Sequence, residues 1–214
     1  MPAPPSATDE ALLGLARARA LALGFSQLSV ADFASLPAAI ERLNAWLAQA
    51  HHGNMAYLHT QLELRANPAL ILPHARSALL LRMDYLPQPS AQIQAAQEQA
   101  ADSSLGQVSL YAQGRDYHKV LRGKLAQLAS ELAQNAPEHS FRAFTDSAPV
   151  MEVELAQASG LGWRGKHTLL LHPQAGSFFF LGGILTTLPL PPDPASTAHC
   201  GQCTRCLQVC PTQA

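Results

Sequence analysis

The chain has 214 residues, 48% of them hydrophobic and 14% charged, which is enough for one substantial core with a small appendage and excludes a disordered chain. A formal net charge of −1 excludes a global basic field that would recruit nucleic acid, while leaving local contacts open. The opening Met1-Pro2-Ala3-Pro4-Pro5-Ser6 lacks the layout of a signal peptide, and no apolar stretch approaches membrane-spanning length. The expected location is therefore the cytoplasm, where thiols stay reduced.

Residues 1–7 read as a disordered lead. Ser6 or Thr8 is suited to cap a helix reaching about Leu23, with Leu12, Leu13, Ala16, Ala20 and Leu23 on its apolar face. Gly24 ends it, and Phe25 to Val30 predicts a short strand. A second helix is expected from about Pro37 to Ala50, with Ile40, Leu43, Trp46 and Leu47 at helical spacing. His51 and His52, adjacent and so pointing different ways, read as solvated or capping groups. They lead into a further helix ending near Asn67-Pro68, in which Arg65 reads as a surface residue unless a carboxylate or cofactor partners it.

Ser77 to Tyr85 begins as a continuous apolar run, the pattern of a buried strand. Residues 86–106, rich in Pro, Gln, Ala and Ser, read as a surface excursion. A strong helix is expected over about Tyr117 to Gln134, with Val120, Leu121, Leu125, Leu128 and Leu132 inward. Phe141 to Phe144 reads as a short strand, 151–159 as a short helix and Ser177 to Leu185 as another buried strand. Pro189 to Pro194 forms a stiff extended arm. Helices interspersed with apolar strands predict an α/β body, without internal repeats, followed by a small tail.

That tail carries every cysteine of the chain: Cys200, Cys203, Cys206 and Cys210, followed by Pro211. Intervals of two, two and three residues and then proline form the bacterial-ferredoxin run that holds cubane iron–sulfur clusters. Such spacing lets one loop present three thiolates to one centre. Zinc sites commonly place a longer insert between cysteine pairs, and disulfides need an oxidising compartment, so the run predicts a 4Fe-4S site.

Other motifs are less specific. Gly160-Leu161-Gly162-Trp163-Arg164-Gly165-Lys166-His167 nearly spells a phosphate-binding loop, but His167 stands where Ser or Thr should hold magnesium, and a helix precedes it. Two readings stay open there: a glycine-rich turn, or close backbone approach to a bulky cofactor with Lys166 near its polar groups. Asp146 follows a strand and reads either as a helix cap or as a partly desolvated proton donor. Asp116 suits a cap, while Tyr117 and His118 are either solvated or pocket-lining.

Taken together these stretches resemble the epoxyqueuosine reductases. The resemblance rests on His52-Gly53-Asn54-Met55 with Tyr57, Arg65, Arg82-Met83-Asp84-Tyr85 and Gly114-Arg115-Asp116-Tyr117-His118-Lys119-Val120-Leu121. It continues through Asp146-Ser147-Ala148-Pro149-Val150, Gly160-Leu161-Gly162-Trp163, Gly165-Lys166, Phe180-Leu181-Gly182, Leu188-Pro189-Leu190-Pro191-Pro192-Asp193 and the cysteine run.

The resemblance implies a cobalamin-binding α/β domain over residues 1–188, related to that of reductive dehalogenases. Residues 189–214 would be a linker and the start of a ferredoxin-like 4Fe-4S module. The implied reaction reduces epoxyqueuosine in a tRNA anticodon to queuosine, with electrons from an external donor passing through 4Fe-4S clusters to cobalamin in a monomeric enzyme. Asp146 matches the family's proton donor. Arg65, Tyr117, His118, Asp146, Ser147, Ala148, Gly165, Lys166 and Thr168 would border cobalamin, and Cys200, Cys203, Cys206 and Cys210 would bind metal. Family members carry a second cysteine run and two clusters, so the resemblance also implies that the chain is truncated at the C-terminus, the favoured reading, or that all four cysteines hold one cluster in an adjusted geometry. Two other readings remain: a non-catalytic electron-transfer module and a corrinoid reductase of small molecules.

Overall fold

The computed structural model describes residues 7–86 and 108–212, together with 94, 95, 98, 102, 104 and 106. The expected lead at 1–6 and most of the expected excursion at 86–106 lie outside the described residues.

A four-stranded sheet forms the centre. It contains β1 (Gln27–Ala31), β2 (Ser77–Asp84), β3 (Phe141–Thr145) and β6 (Phe179–Thr186), in the order β1-β2-β6-β3. All three pairings are antiparallel, so the chain has the expected mix of helices and strands but not the parallel sheet of an α/β fold. The central strands β2 and β6 carry apolar runs, residues 78–81 and 182–185, because both faces are covered there. Leu79 and Leu81 point to one core, with Val30 and Ile184. Ala78 and Leu80 point to the other, with Ala31 and Leu185.

On the first face lie α1 (Ala7–Ala22) and α5 (Tyr117–Asn135). Ala16 and Ala20 of α1 meet Leu121, Leu125, Leu128 and Leu132 of α5, at the periodicity expected of them. Full burial of each such leucine contributes on the order of 2 kcal/mol. The second face is covered by α2 (Leu36–Ala48) and α6 (Glu152–Ala158), through Leu36, Leu155 and Ala156. Gly183 lets β6 approach its neighbours, since a Cβ there would collide with the Phe144 ring and stand 2.6 Å from the Leu79 carbonyl oxygen.

Three local readings change. The helix expected up to Asn67 is two short turns, α3 (Tyr57–Thr60) and α4 (Leu62–Ala66). Asn67 then caps a 3₁₀ turn, accepting a hydrogen bond from the Ala69 amide. The glycine-rich segment contains a small hairpin of β4 (Trp163–Arg164) and β5 (Leu170–Leu171), with strands too short to show alternation in the sequence. The cysteine run contributes one helical turn, α7 (Arg205–Gln208).

The extended arm is fastened to the body. Asp193 accepts from the Val30 amide at 2.8 Å, donates its own amide to the Val30 carbonyl at 2.9 Å and pairs with Arg17 at 2.9 Å. Gly160, at φ +78°, passes beneath the Pro194 carbonyl, which a side chain at that position would strike.

Candidate active site

The N-terminus of α5 and the end of β3 meet at one edge of the sheet. Asp116 caps α5 by accepting from the His118 amide at 3.0 Å, so the capping reading of this residue holds. The same Oδ1 lies 3.0 Å from His118 Nδ1, while His118 Nε2 lies 2.8 Å from Asp146 Oδ2. Tyr117 donates its hydroxyl to that same Oδ2 at 2.7 Å. Its ring stacks on Phe180 of β6 with centroids 4.1 Å apart and on His118 at 4.0 Å. A single network thus joins Asp116, His118, Asp146 and Tyr117.

Asp146 has φ +24°, in a region that residues with side chains seldom enter, at the turn leaving β3. The turn closes through the Ala148 amide and the Thr145 carbonyl at 3.0 Å, with Ser147 between them. The capping reading of Asp146 fails, because α6 begins at Glu152 and its cap residue, Met151, makes no side-chain cap bond. Asp146 is therefore held by strain and hydrogen bonds toward a cavity rather than toward a helix.

Electrostatics follow the geometry. The hydrogen bond to Asp146, and next that to Asp116, raise the pKa of His118, so that its cationic form is favoured. In that form it donates to both carboxylates. Tyr117 moves upward because of burial first and the bond to Asp146 second, which keeps its hydroxyl protonated. Both donors to Asp146 fall on Oδ2, leaving Oδ1 for exchange with a ligand.

Beside the network lies a half-open cavity of about 290 Å³, floored by Phe179, Phe180 and Leu181 and bordered by Tyr117, Asp146 and Glu152. Tyr111 and Leu169 border it while 50% and 55% exposed, leaving large apolar surface for a ligand to cover. Arg65 is electrostatically coupled to Glu152, and its buried Nε has no hydrogen-bond partner. Burial pulls its pKa down, with Tyr57 and Glu152 opposing. The exposed apolar rim suits a ligand that extends beyond the cavity, whose lining Arg65 reaches only through Glu152.

Gly165 and Thr168 are joined by a 2.9 Å backbone hydrogen bond in the hairpin loop, where Thr168 has φ +74°. Lys166 turns from the cavity to the cysteine loop, donating to the carbonyls of Gly201 and Cys203, each at 2.9 Å. Trp163 donates its indole N–H to Cys200 Sγ at 3.4 Å. That bond first, and Lys166 next, hold the Cys200 thiol below its ordinary range. None of the four cysteines is in a disulfide; Cys203 is exposed and the others are half-buried. Among the described residues no three metal-ligating side chains converge, but four thiols in this spacing match the donor set of a cubane cluster.

The structure therefore brings together Tyr117, His118 and Asp146, with Ser147 and Ala148 in the adjoining turn and Arg65 coupled through Glu152. The segment 165–168 sits apart, against the cysteines. Sequence reasoning missed Glu152 and the sulfur contact of Trp163. Neither has a local signal, since both depend on what the fold brings opposite them.

The chain is similar to known proteins over most of its length. Residues 65–147 match the family described as Epoxyqueuosine reductase QueG, DUF1730. The epoxyqueuosine reductase of Alicycliphilus denitrificans is 49% identical over 194 residues, covering 90% of this chain and 54% of that protein. That of Escherichia coli is 43% identical, covering 91% and 50%. The chain spans about half the length of the curated relatives it matches. The structure of epoxyqueuosine reductase from Streptococcus thermophilus aligns with a TM-score of 0.77 at 25% identity, over 94% of this chain and 52% of that one. An epoxyqueuosine reductase with a tRNA-Tyr epoxyqueuosine-modified stem loop aligns at 0.76 and 22% identity, over 96% and 53%. A B12-dependent reductive dehalogenase shares the fold at 0.51 and 17% identity, over 93% and 22%.

Proposed function

Because this chain belongs to the epoxyqueuosine reductase family, we propose that it carries the cobalamin-binding and proton-donating part of an enzyme that reduces epoxyqueuosine in tRNA to queuosine. The observation that carries the reading is the Asp146 carboxyl, held on Oδ2 by Tyr117 and His118 at the border of a half-open apolar cavity. In this reading residues 1–188 form the cobalamin domain and 189–214 a linker with a partial ferredoxin-like module.

Removing the epoxide oxygen breaks two C–O bonds, forms an alkene, consumes two electrons and two protons and releases water. Cobalamin, when bound, supplies the reducing power, drawn from an external donor through 4Fe-4S clusters that Cys200, Cys203, Cys206 and Cys210 help to ligate. Arg65, Ser147 and Ala148 would border the cofactor, while the 165–168 loop, with Lys166 bonded to the Gly201 and Cys203 carbonyls, seats the cysteine loop. Asp146 gives a proton from Oδ1 to the epoxide oxygen, so that no alkoxide accumulates as the ring opens. Tyr117 fixes the carboxyl in place, and cationic His118, on the solvent side, returns the proton. Asp116 holds the imidazole in line through its second nitrogen.

The partner is tRNA with epoxyqueuosine in its anticodon, and the enzyme works as a cytoplasmic monomer. Among the described residues no helix is long and apolar enough to cross a membrane. Anaerobic reconstitution with iron, sulfide and cobalamin, followed by metal analysis and electron paramagnetic resonance, tests the cofactor reading. Bound cobalamin and iron support it; iron without cobalamin removes it in favour of an electron-transfer module.

A further inference from the structure

Two glutamates of α6 differ in surroundings. Glu154 is paired with Arg42 at 3.1 Å and with Arg164 at 2.6 Å. Glu152, two residues earlier and so on the opposite side of the helix, borders the same cavity as Asp146 and Tyr117. No hydrogen bond joins its carboxyl to another described residue. The residue is half-buried at the cavity border. The charged and titratable groups around it are Asp146 at the end of β3, Tyr117 on α5 and Arg65 on α4, with Tyr57 of α3 acting on Arg65 and Tyr85 and Tyr111 lining the same cavity.

We propose that Glu152, on the border of the cavity that Asp146 and Tyr117 also line, is the second proton donor of this pocket. The assignment rests on the reductase reading above. That reaction takes up two protons for two electrons, and the Asp146–His118 pair accounts for one path, open to solvent. Glu152 is the remaining carboxyl in the cavity lining. Its protonated form gives H⁺ to the departing oxygen, completing water, or reloads Asp146. It becomes a carboxylate in doing so and regains a proton before the next turnover.

Burial first, and repulsion from Asp146 second, push Glu152 up to about 7, with Arg65 opposing. The sign is definite: the group is loaded below that value and loses its donor capacity as pH rises through it. Arg65 keeps the anionic form tolerable after transfer. An acid balanced near the working pH is suited to repeated proton delivery.

Infrared difference titration of the whole chain, wild type against Glu152→Gln, tests whether Glu152 holds the proton, without requiring turnover. The carbonyl band of a protonated carboxyl should fade with a midpoint of about pH 7 in the wild type and be missing from the variant. A band with that midpoint retained by Glu152→Gln, or none with it in the wild type, overturns the proposal.

Turnover of an epoxyqueuosine-modified stem loop by the cobalamin-loaded chain then tests delivery. The wild-type rate should fall as pH rises through about 7, while Glu152→Gln loses that limb and slows on the order of 100-fold. Glu152→Asp should recover part of the rate, and all variants should bind cobalamin equally. A Glu152→Gln rate and profile matching wild type overturns the proposal. A wild-type chain that binds no cobalamin overturns the reductase reading and the donor role with it. The infrared result is independent of that outcome, so the two failures read differently.

Discussion

The hydroxyl of Tyr117 and the carboxylate of Asp146 are joined by a 2.7 Å hydrogen bond that ties the first turn of α5 to the end of β3. The Tyr117 ring lies nearly parallel to Phe180, at an interplanar angle of 3°, so the hydroxyl is aimed by packing. Tyr117→Phe should keep the stack, cost about 1 kcal/mol in stability and slow turnover without weakening cobalamin binding. Comparing melting temperature, cobalamin affinity and rate checks this. A loss of cobalamin binding equal to the loss of rate would assign Tyr117 to cofactor binding instead.

His118 bridges two carboxylates, and its raised proton affinity is measurable directly. In a nuclear magnetic resonance titration its imidazole should hold its proton above the ordinary histidine range, and Asp146→Asn or Asp116→Asn should bring it down. The larger drop should come from Asp146, the larger cause. Because the folded-state value is raised, the stability gained is fully present below the ordinary histidine value. It is lost as pH rises through the raised one.

The cysteine loop is seated on the hairpin by Lys166 and Trp163. Lys166→Gln removes the donor to the carbonyls of Gly201 and Cys203 and should lower iron retention after reconstitution, with the body still folded. Trp163→Phe removes the N–H donated to Cys200 Sγ and should shift the reduction potential of the bound cluster downward. Iron analysis and a potentiometric titration measure the two effects.

Gly183 tests the packing account. Gly183→Ala sets a methyl against the Phe144 ring and the Leu79 carbonyl, which should cost about 1–3 kcal/mol. Chemical denaturation reads this. An unchanged midpoint would mean that the strands open without strain.

Much of the fold is legible in the residues. Leu79, Leu80 and Leu81 read as a continuous run because alternate members face separate helical layers. The strand order, with β6 inserted between β2 and β3, has no sequence signal, since it is set by long-range pairing. At the site, Asp116 announces itself as a cap, and Asp146 stands out by its position after a strand. Glu152 and Glu154 are indistinguishable in sequence. Only the fold turns one toward Arg42 and Arg164 and the other toward the cavity. Lys166 reads as a cofactor contact, but the arm anchored at Asp193 carries the cysteine loop back to it.

The most direct measurement is anaerobic turnover of an epoxyqueuosine-modified stem loop by the reconstituted chain, wild type against Asp146→Asn, read by mass spectrometry as loss of one oxygen atom. Wild type should yield queuosine, and Asp146→Asn, with cobalamin bound equally, should be slower on the order of 100-fold or more. Equal rates from the two proteins would contradict the assignment of Asp146 as proton donor.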